Sequence, residues 1–439
     1  VFEWALILPL AVPTYVMAYL FVDFLQFSGP LQTMMRDSFG ISSALPDPRS
    51  LGGAIWTFSL CLYPYVYLVA RTSFLDRSAR LMEAAETLGY SSVEAFIRLV
   101  LPMTRPAIFT GIALALMEVL ADFGAVSYFG LQTFATGIFK AWLSFGDRIA
   151  AVHLSLMLLA FVLIVFYWEQ HNRSRQRYAL GNTNTQPPIP KRLKGSHAFY
   201  ASSFCGATLF SAFILPMWVL LNLLMSESFS IDPRYFSWLK NSLGLSALTA
   251  ILAVICAIFL AYAARLSQSK ILRGVNRVLT VGYALPGAVL GVGILSLMGL
   301  LDIAWFMSAS VAVLIYAYLI RFLSSGLQSI ETGLTRITPA MDGTAALLGA
   351  KPWEMIRRIH LPLLRRSVLT ALLFVFVDVM KELPATLLLR PFNLDTLAVA
   401  TYQLAADERL SELALPALSI VLVGLLPVIL LSRAISKGR

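Results

Sequence analysis

Two acidic pairs recur at one offset in this 439-residue chain. Glu118 and Asp122 form the first. Asp378 and Glu382 form the second, with Lys381 beside it, and each acid of the second pair lies 260 positions after its counterpart. All five residues fall in stretches otherwise apolar enough to cross a bilayer. Acids at i and i+4 share one helix face. At about 1.5 Å per residue, Glu118 would lie about 18 Å and Asp122 about 24 Å along their helix. Each charge held in the membrane costs about 2.5–3.5 kcal/mol on insertion scales. Two kinds of chemistry would retain them. In one, the helices line a translocation path and the four carboxylates offer hard oxygen ligands to a passing cation. In the other, Lys381 pairs with Asp378 at i, i+3, and the remaining acids reach the interface or bond to neighbouring helices. Gly111 and Ala115 share the face of Glu118 and favour close helix packing.

The elements that position these residues follow from composition. The chain is 58% hydrophobic and 13% charged, with mean hydropathy +0.75, against about 45–50% and about 25% for soluble domains. That excludes a soluble fold and predicts an all-α, polytopic transmembrane helical bundle. Ten spans are expected, at about 4–25, 51–71, 106–126, 150–168, 199–225, 239–264, 278–300, 303–323, 367–387 and 413–432. Of the 34 Lys and Arg residues, 25 fall in loops 71–105, 169–198, 265–277, 321–366 and 433–439. The positive-inside rule places these loops and the C-terminus in the cytoplasm. The net charge of +10 reflects this bias toward membrane-flanking loops, so no nucleic-acid partner is expected and membrane lipid is. Cys61, Cys205 and Cys256 are scattered through apolar runs and read as packing residues.

Residues 169–198 are polar, basic and rich in Pro and Asn, as a flexible cytoplasmic linker would be. They divide the chain into a first half, 1–168, with about four spans, and a second, 199–439, with about six. Val12-Pro13 matches Leu285-Pro286, and Tyr65-Val66-Tyr67 matches Tyr316-Ala317-Tyr318. The four early spans thus correspond to the last four of the second half. The expectation is two parallel repeats, six spans plus six in the full protein, with two missing at the N-terminus.

The 260-residue offset also relates two polar segments. Glu83-Ala84-Ala85 leads to Gly89 and then Leu101-Pro102; Gly343-Thr344-Ala345 leads to Gly349 and then Leu361-Pro362. The first copy predicts a helix over Arg80–Leu88, a change of direction at Gly89, a second short helix capped by Ser91 or Ser92, and a stop at Leu101-Pro102. The alanines, Ala346 included, would leave a smooth face for a partner.

Glu-Ala-Ala, three residues, Gly, nine residues and aliphatic-x-Leu-Pro resembles the signature loop of binding-protein-dependent ABC importer permeases. The resemblance implies that each copy couples to one of two cytoplasmic ABC ATPase subunits. The second copy departs from it, with Gly343 where the first has Glu83. No Gly-x-x-x-x-Gly-Lys-Ser/Thr loop occurs in the chain, so no cofactor is expected here and ATP and Mg would sit on the partner. The segments from Ala121-Asp122-Phe123-Gly124 to Trp142, and Lys381-Glu382-Leu383-Pro384 to Asn393, are similar to the ferric-iron uptake subfamily, as is the fused layout. That likeness implies a periplasmic ferric-binding protein and transient iron(III) contact at Glu118, Asp122, Asp378 and Glu382, with no stable metal site. It also implies multi-pass residence in a bacterial inner membrane. Thiamine, polyamine and sulfate permeases share the architecture. An ion-coupled secondary transporter is the rival from another class, and the signature loops argue against it. No catalytic constellation is present: His153, His171, His197 and His360 have no metal-ligand spacing.

Overall fold

The computed structural model describes residues 2–40, 46–87, 89–179, 193–226, 230–267, 269–301, 310–335, 337–349 and 351–436. Among these there is no strand. The helices used below are α1 (Thr14–Leu25), α2 (Leu51–Thr87), α3 (Leu101–Ala121), α4 (Gly124–Tyr128), α5 (Arg148–Ala179), α6 (Gly195–Leu224) and α7 (Tyr235–Ser267). They continue as α8 (Lys270–Thr280), α9 (Gly287–Leu300), α10 (Val311–Leu334), α11 (Pro339–Leu347), α12 (Leu361–Lys381), α13 (Pro384–Leu389), α14 (Leu397–Ala406) and α15 (Leu410–Ser436). Among the described residues seven helices are long and apolar enough to span a membrane, or up to nine if two bent pairs each count as one. The tenth expected span is α12. It carries Arg365, Arg366, Asp378 and Lys381, yet its 21 residues reach about 31 Å, the thickness of a hydrocarbon core. Of the linker expected at 169–198, residues 180–192 lie outside the described residues, while α5 runs on to Ala179 and α6 begins at Gly195. The start of the span expected at 303–323 also lies outside them.

Three expectations need revision. The spans at 4–25 and 278–300 are not straight. They bend by 95° and 112° where a 3₁₀ turn, Leu8–Ala11 or Val281–Ala284, meets a proline in extended conformation, Pro13 or Pro286. Proline has no N–H to continue the ladder and fixes φ, so the helix restarts after it. The spans expected to end at 126 and 387 instead stop at Ala121 and Lys381. Asp122 and Glu382 are extended there, with ψ 135° and 116°, and lie outside the helices whose faces they were expected to share. Finally, Leu101-Pro102 and Leu361-Pro362 do not stop a helix. A π-turn, Phe96–Val100 or Ile356–His360, runs directly into α3 or α12, with the amide of Leu101 or Leu361 bonded five residues back. Leu215-Pro216 does the same inside α6. Widening one turn gives the pyrrolidine ring room without breaking the helix.

The chain divides into two compact units, and the division does not fall at the linker. The first comprises Val1–Gly137 and Leu156–Met225, so α6 packs within it. At its centre α1 is buried from Tyr15 through Val22, as expected for a helix apolar on every side. Tyr19 meets Tyr128 edge-on at 4.5 Å. The α2–α3 crossing is close enough that a Cβ on Gly111 would lie 2.6 Å from the Val66 Cα. The second unit, Ile138–Ser155 and Ser226–Arg439, is built on α7, α10 and α12. Tyr318 and Phe322 of α10 and Val375 and Val379 of α12 share its core. Ser242 of α7 accepts the Leu397 amide at 2.7 Å and ties down the start of α14. Cys61 is buried and Cys205 half-buried, but Cys256 is exposed on α7 rather than packed.

The close crossing predicts a differential result. Gly111→Ala overpacks the α2–α3 contact and destabilises by about 1–3 kcal/mol. Gly244→Ala, where a Cβ meets open space, is neutral or stabilising by up to about 1 kcal/mol. Melting temperatures of the two variants in detergent check the pair.

Candidate functional site

The two acid pairs resolve into one repeated device. At the end of α3 the Asp122 carboxylate accepts the amides of Ala125 and Val126 at 2.9 and 3.2 Å, capping α4. Its second oxygen accepts the Thr14 hydroxyl at 2.5 Å. Thr14 follows Pro13 at the start of α1. One side chain thus holds the end of one helix and the starts of two others.

Glu382 does the same at the end of α12 with different chemistry. One oxygen accepts the Ala385 amide at 3.0 Å and caps α13; the other accepts Arg321 Nη1 of α10 at 2.5 Å. Glu382 is buried at 5% exposure and the Arg321 side chain is 11% exposed. The Thr386 hydroxyl bonds the Glu382 carbonyl at 2.8 Å and the Tyr318 hydroxyl at 2.7 Å. Gly287, the residue after Pro286, is the positional match of Thr14. A Cβ there would strike the Glu382 carboxylate and come within 2.8 Å of Arg321 Nη1. Threonine supplies the donor in the first unit; glycine makes room for a guanidinium in the second.

Glu118 lies on α3 with one oxygen 3.5 Å from the Tyr65 hydroxyl, at the limit of a hydrogen bond. Asp378 and Lys381 are half-buried near the end of α12. Among the described residues no three His, Cys, Asp or Glu side chains converge to hold a metal ion. Sequence reasoning missed Thr14, Gly287 and Arg321. The last had a signal: an arginine in an otherwise apolar run, Tyr-Leu-Ile-Arg-Phe-Leu, which the loop count had assigned to a loop.

The duplicated segments form helix–glycine–helix turns. Glu83 and Ala84 lie in α2, and Gly89 follows with φ +80°; Gly343, Thr344 and Ala345 lie in α11, and Gly349 follows with φ +78°. Open space surrounds both glycines, so the left-handed backbone rather than crowding calls for glycine. In the first copy Ser91 and Glu94 form a reciprocal capping box: the Ser91 amide and hydroxyl donate to Glu94, and the Glu94 amide donates back to Ser91 Oγ. The second copy keeps half of it, the Lys351 amide to Glu354 at 3.1 Å. Ala85 and Ala345 are buried, at 0% and 4% exposure, and face inward rather than toward a partner. Val93, Phe96 and Ile97 are exposed apolar residues of the first turn, and Met341, Leu347 and Leu348 of the second.

A further difference separates the copies. In the second, Asp342 accepts Arg265 Nη2 at 2.6 Å and Nε at 3.0 Å, while His360 Nε2 lies 2.8 Å from its other oxygen. Arg265 also donates to the carbonyls of Leu334 and Ile337 at 2.8 Å, and Tyr262 meets His360 edge-on. The cluster clamps α7, α11 and the π-turn. Val100 stands where the second copy has His360, so the first copy lacks the imidazole. Desolvation pushes the Asp342 carboxyl up, but the hydrogen bonds from Arg265 and His360 outweigh it and hold its pKa below the ordinary value.

A chain whose described residues are mostly helical without strands, with seven or more helices long and apolar enough to cross a membrane and with paired turns and paired broken helices, is a polytopic membrane permease. Residues 1–178 and 253–439 match the family described as the binding-protein-dependent transport system inner membrane component, and the chain belongs to that family. It is 29% identical to the Fe(3+)-transport system permease protein FbpB 2 of Haemophilus influenzae, over 98% of this chain and 82% of that one. It is 23% identical to the putative ferric transport system permease protein FbpB 1 of the same organism, over 87% of this chain and 63% of the relative. A putative 2-aminoethylphosphonate transport system permease protein, PhnV of Salmonella typhimurium, is 29% identical over 43% of this chain and 69% of its own length.

Two outcomes follow from the geometry. Arg321→Gln leaves the Glu382 carboxylate buried without its cation and destabilises by about 3–5 kcal/mol. Adding Glu382→Gln recovers part of that loss, as a double-mutant cycle of detergent melting temperatures would show. Asp342 has a lowered folded pKa, so its stabilisation is present above the unfolded value of about 3.9 and is lost as pH falls through the folded value. Asp342→Asn therefore costs about 1.5–3 kcal/mol at neutral pH. Melting curves against pH should show that gap present at neutral pH and closing below about pH 4.

Proposed function

We propose that this chain is the membrane-spanning subunit of an ATP-binding-cassette importer for iron(III). In this reading a periplasmic ferric-binding protein delivers cargo to the outer face, and two copies of a separate cytoplasmic ATPase, carrying ATP and Mg, dock on the two signature turns. The observation that carries the cargo is the likeness to a ferric-transport permease over 98% of the chain; the phosphonate relative matches 43%. The excess of Lys and Arg in the loops that hold both turns and at the C-terminus supports a cytoplasmic position for all three. Exposed Val93, Ile97, Leu347 and Leu348 give each docking turn an apolar contact, with Glu83, Gly89, Gly343 and Gly349 shaping it. ATP-driven closure of the ATPase pair would move these turns. Each turn continues through its π-turn into α3 or α12, so the movement reaches the capped breaks at Asp122 and Glu382.

Two of the four acids in the proposed path also have a structural task. Asp122 and Glu382 cap α4 and α13 and hold Thr14 and Arg321. In this reading the acids of both pairs, Glu118 and Asp378 among them, offer transient hard-oxygen contacts to the passing cation.

The test is uptake of radioactive iron into proteoliposomes holding this chain, its ATPase and its binding protein. ATP-dependent accumulation is expected with ferric-loaded binding protein. Uptake of thiamine, polyamine, sulfate or phosphonate instead would overturn the cargo assignment, and ATP-independent uptake would overturn the class. Glu118→Gln with Asp378→Asn is expected to lower iron uptake at least tenfold while leaving the detergent melting temperature within a few degrees. Unchanged uptake would remove both acids from the path.

A further inference from the structure

Helix α8 carries an unmatched surface. Ile271, Val275 and Val278, spaced i, i+4, i+7, are 78%, 41% and 70% exposed and form one stripe. Lys270 and Arg277 are exposed on an adjoining arc, and no acid occurs from Lys270 to Thr280. The opposite side is docked: Asn276 is buried and donates to Glu331 of α10 at 3.1 Å, and α8 packs on α7 and α10. Ser269 caps its start by accepting the Ile271 amide at 3.2 Å.

Direction supplies the second observation. With its 3₁₀ turn, α8 is inclined 112° to α9. Where α9 runs across the bilayer, α8 lies close to the membrane plane. A short helix in that plane, with one aliphatic stripe beside a cationic arc, is built for the boundary between acyl chains and headgroups.

We infer that α8 is an interfacial helix that binds anionic phospholipid. Ile271, Val275 and Val278 enter the acyl region, while Lys270 and Arg277 meet headgroup phosphates. A lipid surface fits better than a protein partner because the patch is purely aliphatic, uniformly cationic and continuous with membrane-spanning helices. Each cation near an anionic surface favours binding by about fivefold. The site has leverage: four residues of 3₁₀ turn separate α8 from Leu285-Pro286, and the next residue is the Gly287 that accommodates the Arg321–Glu382 pair.

Hydrogen–deuterium exchange on the full chain tests this, in nanodiscs of phosphatidylcholine alone and of phosphatidylcholine mixed with phosphatidylglycerol. Exchange across 270–280 is expected to slow at least fivefold in the anionic discs. The double variant Lys270→Gln, Arg277→Gln should lose that difference, with exchange in α7 and α10 unchanged as proof of an intact fold. Equal exchange of the unmodified chain in the two discs would overturn the inference. So would protection that appears only when a cytoplasmic ATPase is added, which would make this face a protein-docking surface.

Discussion

Inside a bilayer, backbone amides and carbonyls have no water to turn to, so every interruption of a helix needs internal partners. The rest of this structure depends on that constraint. Helices α3 and α12 both break within their apolar stretches, and at each break a carboxylate accepts the free amides of the following helix. A buried carboxylate needs further donors in turn, and Thr14 and Arg321 supply them. Those donors fix the helices on which they sit. The acids thus cost much to insert and return it as architecture, tying three segments together at one point in each unit.

The same constraint explains how prolines are tolerated. At Pro13 and Pro286 the chain bends after a 3₁₀ turn and restarts. At Pro102, Pro216 and Pro362 a π-turn absorbs the ring and the helix carries on. For the proposed coupling this distinction matters: a helix that continues through Leu-Pro joins each turn directly to the capped break at its far end, whereas a stop there would have separated them.

Duplication has kept geometry and let chemistry diverge. The break keeps its carboxylate and its capped short helix, while Thr14 in one copy is matched by Gly287 and Arg321 in the other. The turn keeps its left-handed glycine, while a full capping box in one copy becomes half a box in the other. Val100 in one π-turn corresponds to His360, with its Asp342 and Arg265, in the other. A buried ion pair and a hydroxyl–carboxylate bond respond differently to loss of a partner, so the two units need not resist motion equally.

The sequence by itself determined the membrane class, because apolar runs about 20 residues long admit no other burial. It located both turns and both acid pairs, because a constant offset of 260 survives whatever the intervening packing does. It also fixed the need for glycine at Gly89 and Gly349, which a local backbone angle decides. The tertiary structure alone decided what the acids do. Periodicity put Asp122 and Glu382 on helix faces, but whether a helix continues past position 121 or 381 depends on donors from Thr14, 108 positions away, and Arg321, 61 positions away. Contacts that distant leave no periodic trace in either segment. The inward turn of Ala85 and Ala345 and the docking of α8 through Asn276 were settled in the same way, by neighbours that the chain brings together only on folding.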